Sequence, residues 1–159
     1  MTHYNLALLG FGNVGQSLAR LLQRKTASLA ADYGITFTIT AIGTARHGLA
    51  ADPTGLDIDH ALRLVASGAD LSALTSHPTP ADAFELLRLS QANVLFENTP
   101  VNYHTGQPAL NYLRAALELG MHAITANKGP VVHGYQQLTA LAQQRGRKFY
   151  FESAVMDGA

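Results

Sequence analysis

Cysteine is absent from the 159 residues, and that absence removes disulfide bracing, thiolate zinc sites and cysteine nucleophiles together. Charge is scarce as well. Asp, Glu, Lys and Arg make up 14% of the chain, against about a quarter in an ordinary globular domain. A surface so thinly charged on one small domain suggests that further protein normally covers part of it. The 11 basic and 11 acidic residues cancel to zero net charge, which leaves no basic field for a nucleic-acid backbone and no acidic tail. No long uninterrupted apolar run is present, nor a basic start followed by an apolar signal core. Neither a membrane span nor a secretory signal is read, and the cytoplasm is the expected compartment. H-E-x-x-H, G-x-S-x-G and G-x-x-x-x-G-K-[ST] are all missing, so the hydrolytic and P-loop chemistries they mark find no support. The seven histidines are scattered and form no obvious ligand pair.

What is present reads as one folded domain. Hydrophobic residues reach 47%, and a chain of this length can bury a core of its own. The apolar run YNLALL (4–9) predicts a buried strand, cut off by Gly10-Phe11-Gly12. Val14, Leu18, Leu21, Leu22 and Leu29 then recur at helical spacing until Gly34. ITFTITAIG (35–43) is β-branched and alternating, a second strand. From Thr44 to about Pro80 the pattern loosens: GTARHGLAADPTG reads as loop and LDIDHALRLVASG as a short helix. A helix through AFELLRL is expected to start at Pro80 with Thr79 as its cap. A strand at 93–97, a helix over TGQPALNYLRAALELG, the strand HAITA, a helix over GPVVHGYQQLTALAQQRG and a last strand KFYFESAV complete the series. Strands alternating with helices imply a doubly wound α/β fold of Rossmann type, a mostly parallel sheet with helices on both faces. The chain stops directly after its last strand without a stop signal, so residues 1–159 are expected to be a truncated dinucleotide-binding domain.

The turn Gly10-Phe11-Gly12-Asn13-Val14-Gly15 is a G-x-G-x-x-G between the first strand and first helix. Each glycine has its own reason: Gly10 for the tight turn, Gly12 for backbone approach to a pyrophosphate, Gly15 for close packing of helix and strand. The helix start offers free N–H groups and the positive dipole end to phosphates. A turn that needs glycines and binds nothing is the other reading. The end of the second strand selects the cofactor. Here TAIGTARHG holds no acid before Asp52, while Thr44 and Arg46, with His47 beside them, suit a 2′-phosphate. NADP(H) is therefore expected in preference to NAD(H), although Arg46 could also be a loop arginine in solvent.

Ligands of open parallel sheets sit outside the carboxyl ends of the strands. Two strands here end in Glu97-Asn98-Thr99-Pro100 and Ala126-Asn127-Lys128-Gly129-Pro130. Asn98, Thr99, Pro100, Asn127 and Lys128 are candidates to line the cofactor, Asn98 and Thr99 at its nicotinamide. Asn98 and Thr99 also suit a turn before proline. Lys128 could hold a carboxylate or carbonyl oxygen, or move a proton if partly desolvated. It could equally be a solvated lysine at a helix start, where a cation opposes the dipole only mildly.

GFGNVG, then FENTPVNYHTGQPALNYLRAALELGMHAITANKGPVV, then FYFESAVMDG, together resemble the nucleotide-binding half of homoserine dehydrogenases. The likeness covers essentially the whole chain, loosely between 44 and 90. It implies NAD(P)-dependent interconversion of L-homoserine and L-aspartate 4-semialdehyde, on the way to threonine and methionine. It also implies a catalytic, substrate-facing role for Lys128 and a place for Glu152 at the substrate edge. A monovalent cation held near Glu152, Val155 and Asp157 is implied as well, although Glu152 could simply terminate a strand. The family's substrate-binding and dimerising region would follow Ala159, so this span is expected to bind cofactor without turning over, its parent being a homo-oligomer. The start at Met1, shortly before the glycine turn, is read as arguing against an aspartate kinase fused upstream. Two other readings remain: the cofactor half of another amino-acid or semialdehyde dehydrogenase, and a non-catalytic nucleotide-sensing module.

Overall fold

Alternation along the first strand divides the interior in two. In the computed structural model, which describes residues 1–154, strand β1 runs Thr2–Leu9. Leu6 and Leu8 join one apolar cluster, Ala7 and Leu9 the other. A strand buried on both faces needs helices on both sides. Helices α1 (Asn13–Tyr33) and α2 (Ile58–Ser67) cover the first face. Helices α3 (Ala83–Leu89), α4 (Ala109–Glu118) and α5 (Lys128–Gln144) cover the second, through Leu86, Leu113, Leu117 and Leu138.

The remaining strands are β2 (Ile35–Thr44), β3 (Gly48–Ala51), β4 (Val94–Glu97), β5 (His122–Thr125) and β6 (Phe149–Tyr150). Their order is β3-β2-β1-β4-β5-β6. All neighbours pair parallel except β2 with β3. The fold is the expected α/β Rossmann-type arrangement. Its strand order reverses at β1 and β4, the point where such sheets open a crevice for ligands.

Four local expectations are corrected. The segment read as loop after Thr44 contains β3, turned back on β2 in an antiparallel hairpin. The Thr44 hydroxyl closes that turn by accepting from the His47 N–H at 2.7 Å, and Gly48 takes φ +74°. Four residues of GLAA carry too little alternation to read as a strand. Helix α3 starts at Ala83, three residues later than expected, and its cap is Asp82 and not Thr79. The Asp82 carboxylate accepts from the Glu85 N–H at 2.8 Å while the Glu85 carboxylate accepts from the Ala81 N–H at 2.7 Å, a reciprocal pair that outcompetes a hydroxyl cap. Helix α4 starts at Ala109 because Asn102 and Thr105 side chains take the N–H groups of His104, Thr105 and Gln107 into turns. The last strand is two residues long, because the Phe151 carbonyl accepts from the Ala154 N–H at 2.9 Å and the chain closes into a 3-10 turn, Glu152–Ala154.

Candidate functional site

The glycine turn meets the crevice head-on. At Gly10 (φ +88°) an added Cβ would sit 2.3 Å from the carbonyl carbon and oxygen of Asn98. The end of β1 therefore lies backbone to backbone against the end of β4. At Gly15 the same atom would sit 2.2 Å from the Gly10 carbonyl oxygen, so helix α1 rides directly on the turn. Around Gly12 a Cβ would meet nothing within 4 Å. Its missing side chain opens space at the start of α1, where Gly12 caps the helix without a side-chain bond and no acid occupies the first turn. The first intrahelical bond there runs from the Gln16 N–H to the Gly12 carbonyl at 2.9 Å. Early N–H groups and the positive helix end are left for an anion.

A cavity of about 830 Å³ opens over this turn, a size typical of small-molecule and cofactor sites. Gly10, Phe11, Gly12 and Asn13 form its floor, with Thr44, Arg46 and His47 on the β2 side and Asn98, Thr99 and Pro100 on the β4 side. Asp52, the first acid after β2, is turned away from this wall. Its carboxylate accepts from the Thr54 N–H at 2.8 Å, the Thr54 hydroxyl at 2.6 Å and the Thr75 hydroxyl at 3.3 Å. The Thr54 hydrogen bonds chiefly hold its pKa below the usual carboxylate value. Among the described residues no acid lines the cavity; Arg46 does. Tyr112 closes the far side, its phenol pushed up in pKa by burial first and then by the charges of Asp82 and Glu97.

A second cavity of about 340 Å³ adjoins through Asn98 and Thr99, which line both. Val14, Asn127 and Lys128 border this smaller space. Lys128 is the first residue of α5 and half-buried, with Asn127 as the cap whose side-chain oxygen accepts from the Gly129 N–H at 3.1 Å. Glu152 is exposed in the closing 3-10 turn and borders neither cavity, while Val155 and Asp157 lie outside the described residues. Gly15 lines neither cavity, its part being the contact with Gly10.

Residues 10–152 match the family model described as homoserine dehydrogenase, NAD binding domain. The chain belongs to that family. An NAD(+)-dependent homoserine dehydrogenase of Pseudomonas canavaninivorans is 34% identical over 158 residues, covering 99% of this chain and 45% of the relative. A homoserine dehydrogenase of Methanocaldococcus jannaschii is 29% identical, covering 95% of this chain and 44% of the relative. Among solved structures, a hyperthermophilic archaeal homoserine dehydrogenase mutant in complex with NADPH superposes with a TM-score of 0.79 at 25% identity, over 96% of this chain and 44% of that one. The chain spans a little under half the length of these homoserine dehydrogenases. It corresponds to their nucleotide-binding part, and a nucleotide cofactor is the ligand this domain family takes.

For this member of the homoserine dehydrogenase family, sequence reasoning overlooked Glu97 and Thr125. Both are fully buried at the carboxyl ends of β4 and β5. Glu97 accepts from the Thr99 N–H at 2.7 Å and from the Thr99 hydroxyl, and on its other oxygen from the Thr125 hydroxyl at 2.6 Å. The signal was available: a glutamate ends an apolar four-residue strand, where a charge is seldom buried without partners.

Proposed function

We propose that this chain is the cofactor-holding half of a homoserine dehydrogenase, interconverting L-homoserine and L-aspartate 4-semialdehyde with NADP(H) preferred over NAD(H). One observation carries the reading: the larger cavity over the glycine turn and the smaller one bordered by Lys128 share the wall formed by Asn98 and Thr99. A nicotinamide cofactor supplies hydride transfer, and the shared wall is where its reactive end and a substrate can meet. Gly12 and the start of α1 would take the pyrophosphate, and Asn98 and Thr99 would orient the nicotinamide. Lys128 would hold the substrate oxygen and stabilise the charge that develops there. The catalytic assembly, a homo-oligomer acting in the cytoplasm, includes protein beyond this span. Among the described residues no helix is long and apolar enough to cross a membrane.

The preference for NADP(H) rests on Arg46. The Pseudomonas relative is named for NAD(+), so membership in the family leaves the choice open and the end of β2 has to make it. There a guanidinium borders the cavity, and the nearest following acid is tied up by threonines. Titration of this chain with NADPH and NADH is the test. NADPH should bind at least about tenfold more tightly, the equivalent of one charge-assisted hydrogen bond, and Arg46→Ala should abolish the difference. Equal affinities in the unaltered chain would sink the preference, and no binding of either would sink the cofactor reading.

A further inference from the structure

We infer that Glu97 is a positioning residue, one that locks the cofactor wall and the lysine-bearing turn into a single unit. The inference rests on the cofactor reading above and deepens it. Glu97 is fully buried, and so is Thr125 on the neighbouring strand. Three donors converge on the two carboxylate oxygens: the Thr99 N–H, the Thr99 hydroxyl and the Thr125 hydroxyl. An ionised carboxyl group accepts only, so it satisfies all three. Because the Thr125 hydroxyl donates to Glu97, its lone pairs are free to accept from the Asn127 N–H, at 2.9 Å. The Asn127 side-chain amide then returns to the Thr99 carbonyl at 3.2 Å. The bonds form a closed ring from Glu97 through Thr125 and Asn127 to Thr99 and back.

Burying a carboxylate is costly unless its partners offset the loss of water. An apolar side chain would fill this place in a sheet without that cost, as Leu95 does two positions earlier in the same strand. What the charge adds is direction. It orients the Thr125 hydroxyl, and that orientation fixes the cap residue immediately before Lys128. The other oxygen fixes Thr99, which lines both cavities. Neither Glu97 nor Thr125 lines a cavity itself, so both act through the residues they hold. Glutamine does not reproduce this pattern: with its oxygen turned to the Thr99 N–H, its NH₂ faces Thr125, whose hydroxyl must then accept and not donate, so the direction of that bond is reversed.

The test uses three variants of this chain: Glu97→Gln, Thr125→Val and Thr125→Ser. NADPH affinity is read by titration, and amide hydrogen exchange of Thr99 and Asn127 is read without cofactor, with the Leu8 amide as the reference for global folding. Glu97→Gln and Thr125→Val should each weaken NADPH about tenfold, the size expected for losing a hydrogen bond to a charged group. Both should speed exchange at Thr99 and Asn127 and leave Leu8 protected. Thr125→Ser, which keeps the hydroxyl, should stay within about twofold of the unaltered chain. A purely structural role would lower the melting temperature of Thr125→Val and leave NADPH affinity and Thr99 exchange unchanged, and that outcome overturns the inference. If Glu97→Gln fails to fold, the valine and serine variants decide. If the unaltered chain does not bind NADPH, the cofactor reading fails by itself, and unchanged Thr99 exchange in Thr125→Val would separately reject the coupling.

Discussion

A methyl group at Gly12 would meet no atom within 4 Å, whereas at Gly15 it would lie 2.2 Å from the Gly10 carbonyl oxygen. Two glycines in one motif therefore answer to different constraints, and alanine substitution separates them. Gly15→Ala forces helix α1 off the turn, an overpacking that costs about 1–3 kcal/mol. Its melting temperature should fall by several degrees in a domain of this size. Gly12→Ala should melt close to the unaltered chain and still lose most of its NADPH affinity, because the methyl occupies the space a pyrophosphate would need. Differential scanning calorimetry beside a cofactor titration reads both. If Gly12→Ala binds NADPH normally, the space at the start of α1 is not where the phosphates go. The tight turn at Gly10 and the close packing at Gly15 were legible in the sequence because both follow from a strand, a turn and a helix in succession. Glu97 was not legible as a functional residue. Thr99 follows it by two residues, but its other donor, Thr125, stands on the neighbouring strand, and no spacing rule brings Thr125 to Glu97 until the sheet order is known.

At the scale of elements, the long periodic pieces were readable and the short ones were not. Helix α1 declares itself by a recurring leucine stripe and ends where Gly34 takes φ +64°. Strand β3 and the shortened β6 depend on what lies beside them: the Thr44–His47 turn for one, and for the other the turn that takes the Phe151 carbonyl. The β5–β6 edge is also where a pH effect belongs. His122, the first residue of β5, accepts from the Lys148 N–H through Nδ1 at 3.0 Å, joining the start of β5 to the approach of β6. Burial first, then the positive charges of Arg147 and Lys148, lowers its pKa below the ordinary 6.5. The neutral ring is thus the form the fold prefers, and the unfolded chain binds the proton more readily. The stability it contributes is present above about pH 6.5 and is lost as the pH falls from there through the depressed folded value. Melting curves between pH 7.5 and 5 should show this loss, and His122→Gln should flatten it. An equally steep fall in the glutamine variant would assign the effect to other groups.

For the whole molecule, the relevant fact is that the chain spans less than half of its relatives. Under the proposed function, the site bordered by Lys128 at the carboxyl edge of the sheet is one wall of a larger enclosure. In the longer enzyme, Lys128→Ala should lower turnover by about 10²–10³-fold, the scale of removing one donor from a developing oxyanion, with NADPH affinity almost unchanged. Normal turnover in that variant would return Lys128 to the solvated surface. The backbone contact at the strand-order reversal bears on how such a site survives sequence change. With Gly10 against Asn98, the gap between the two halves of the sheet is gauged by peptide groups, whose size is the same in every protein. Side chains around the crevice can drift while this gauge stays fixed. Any side chain at Gly10, by contrast, would have to push the two halves of the sheet apart before the fold could close.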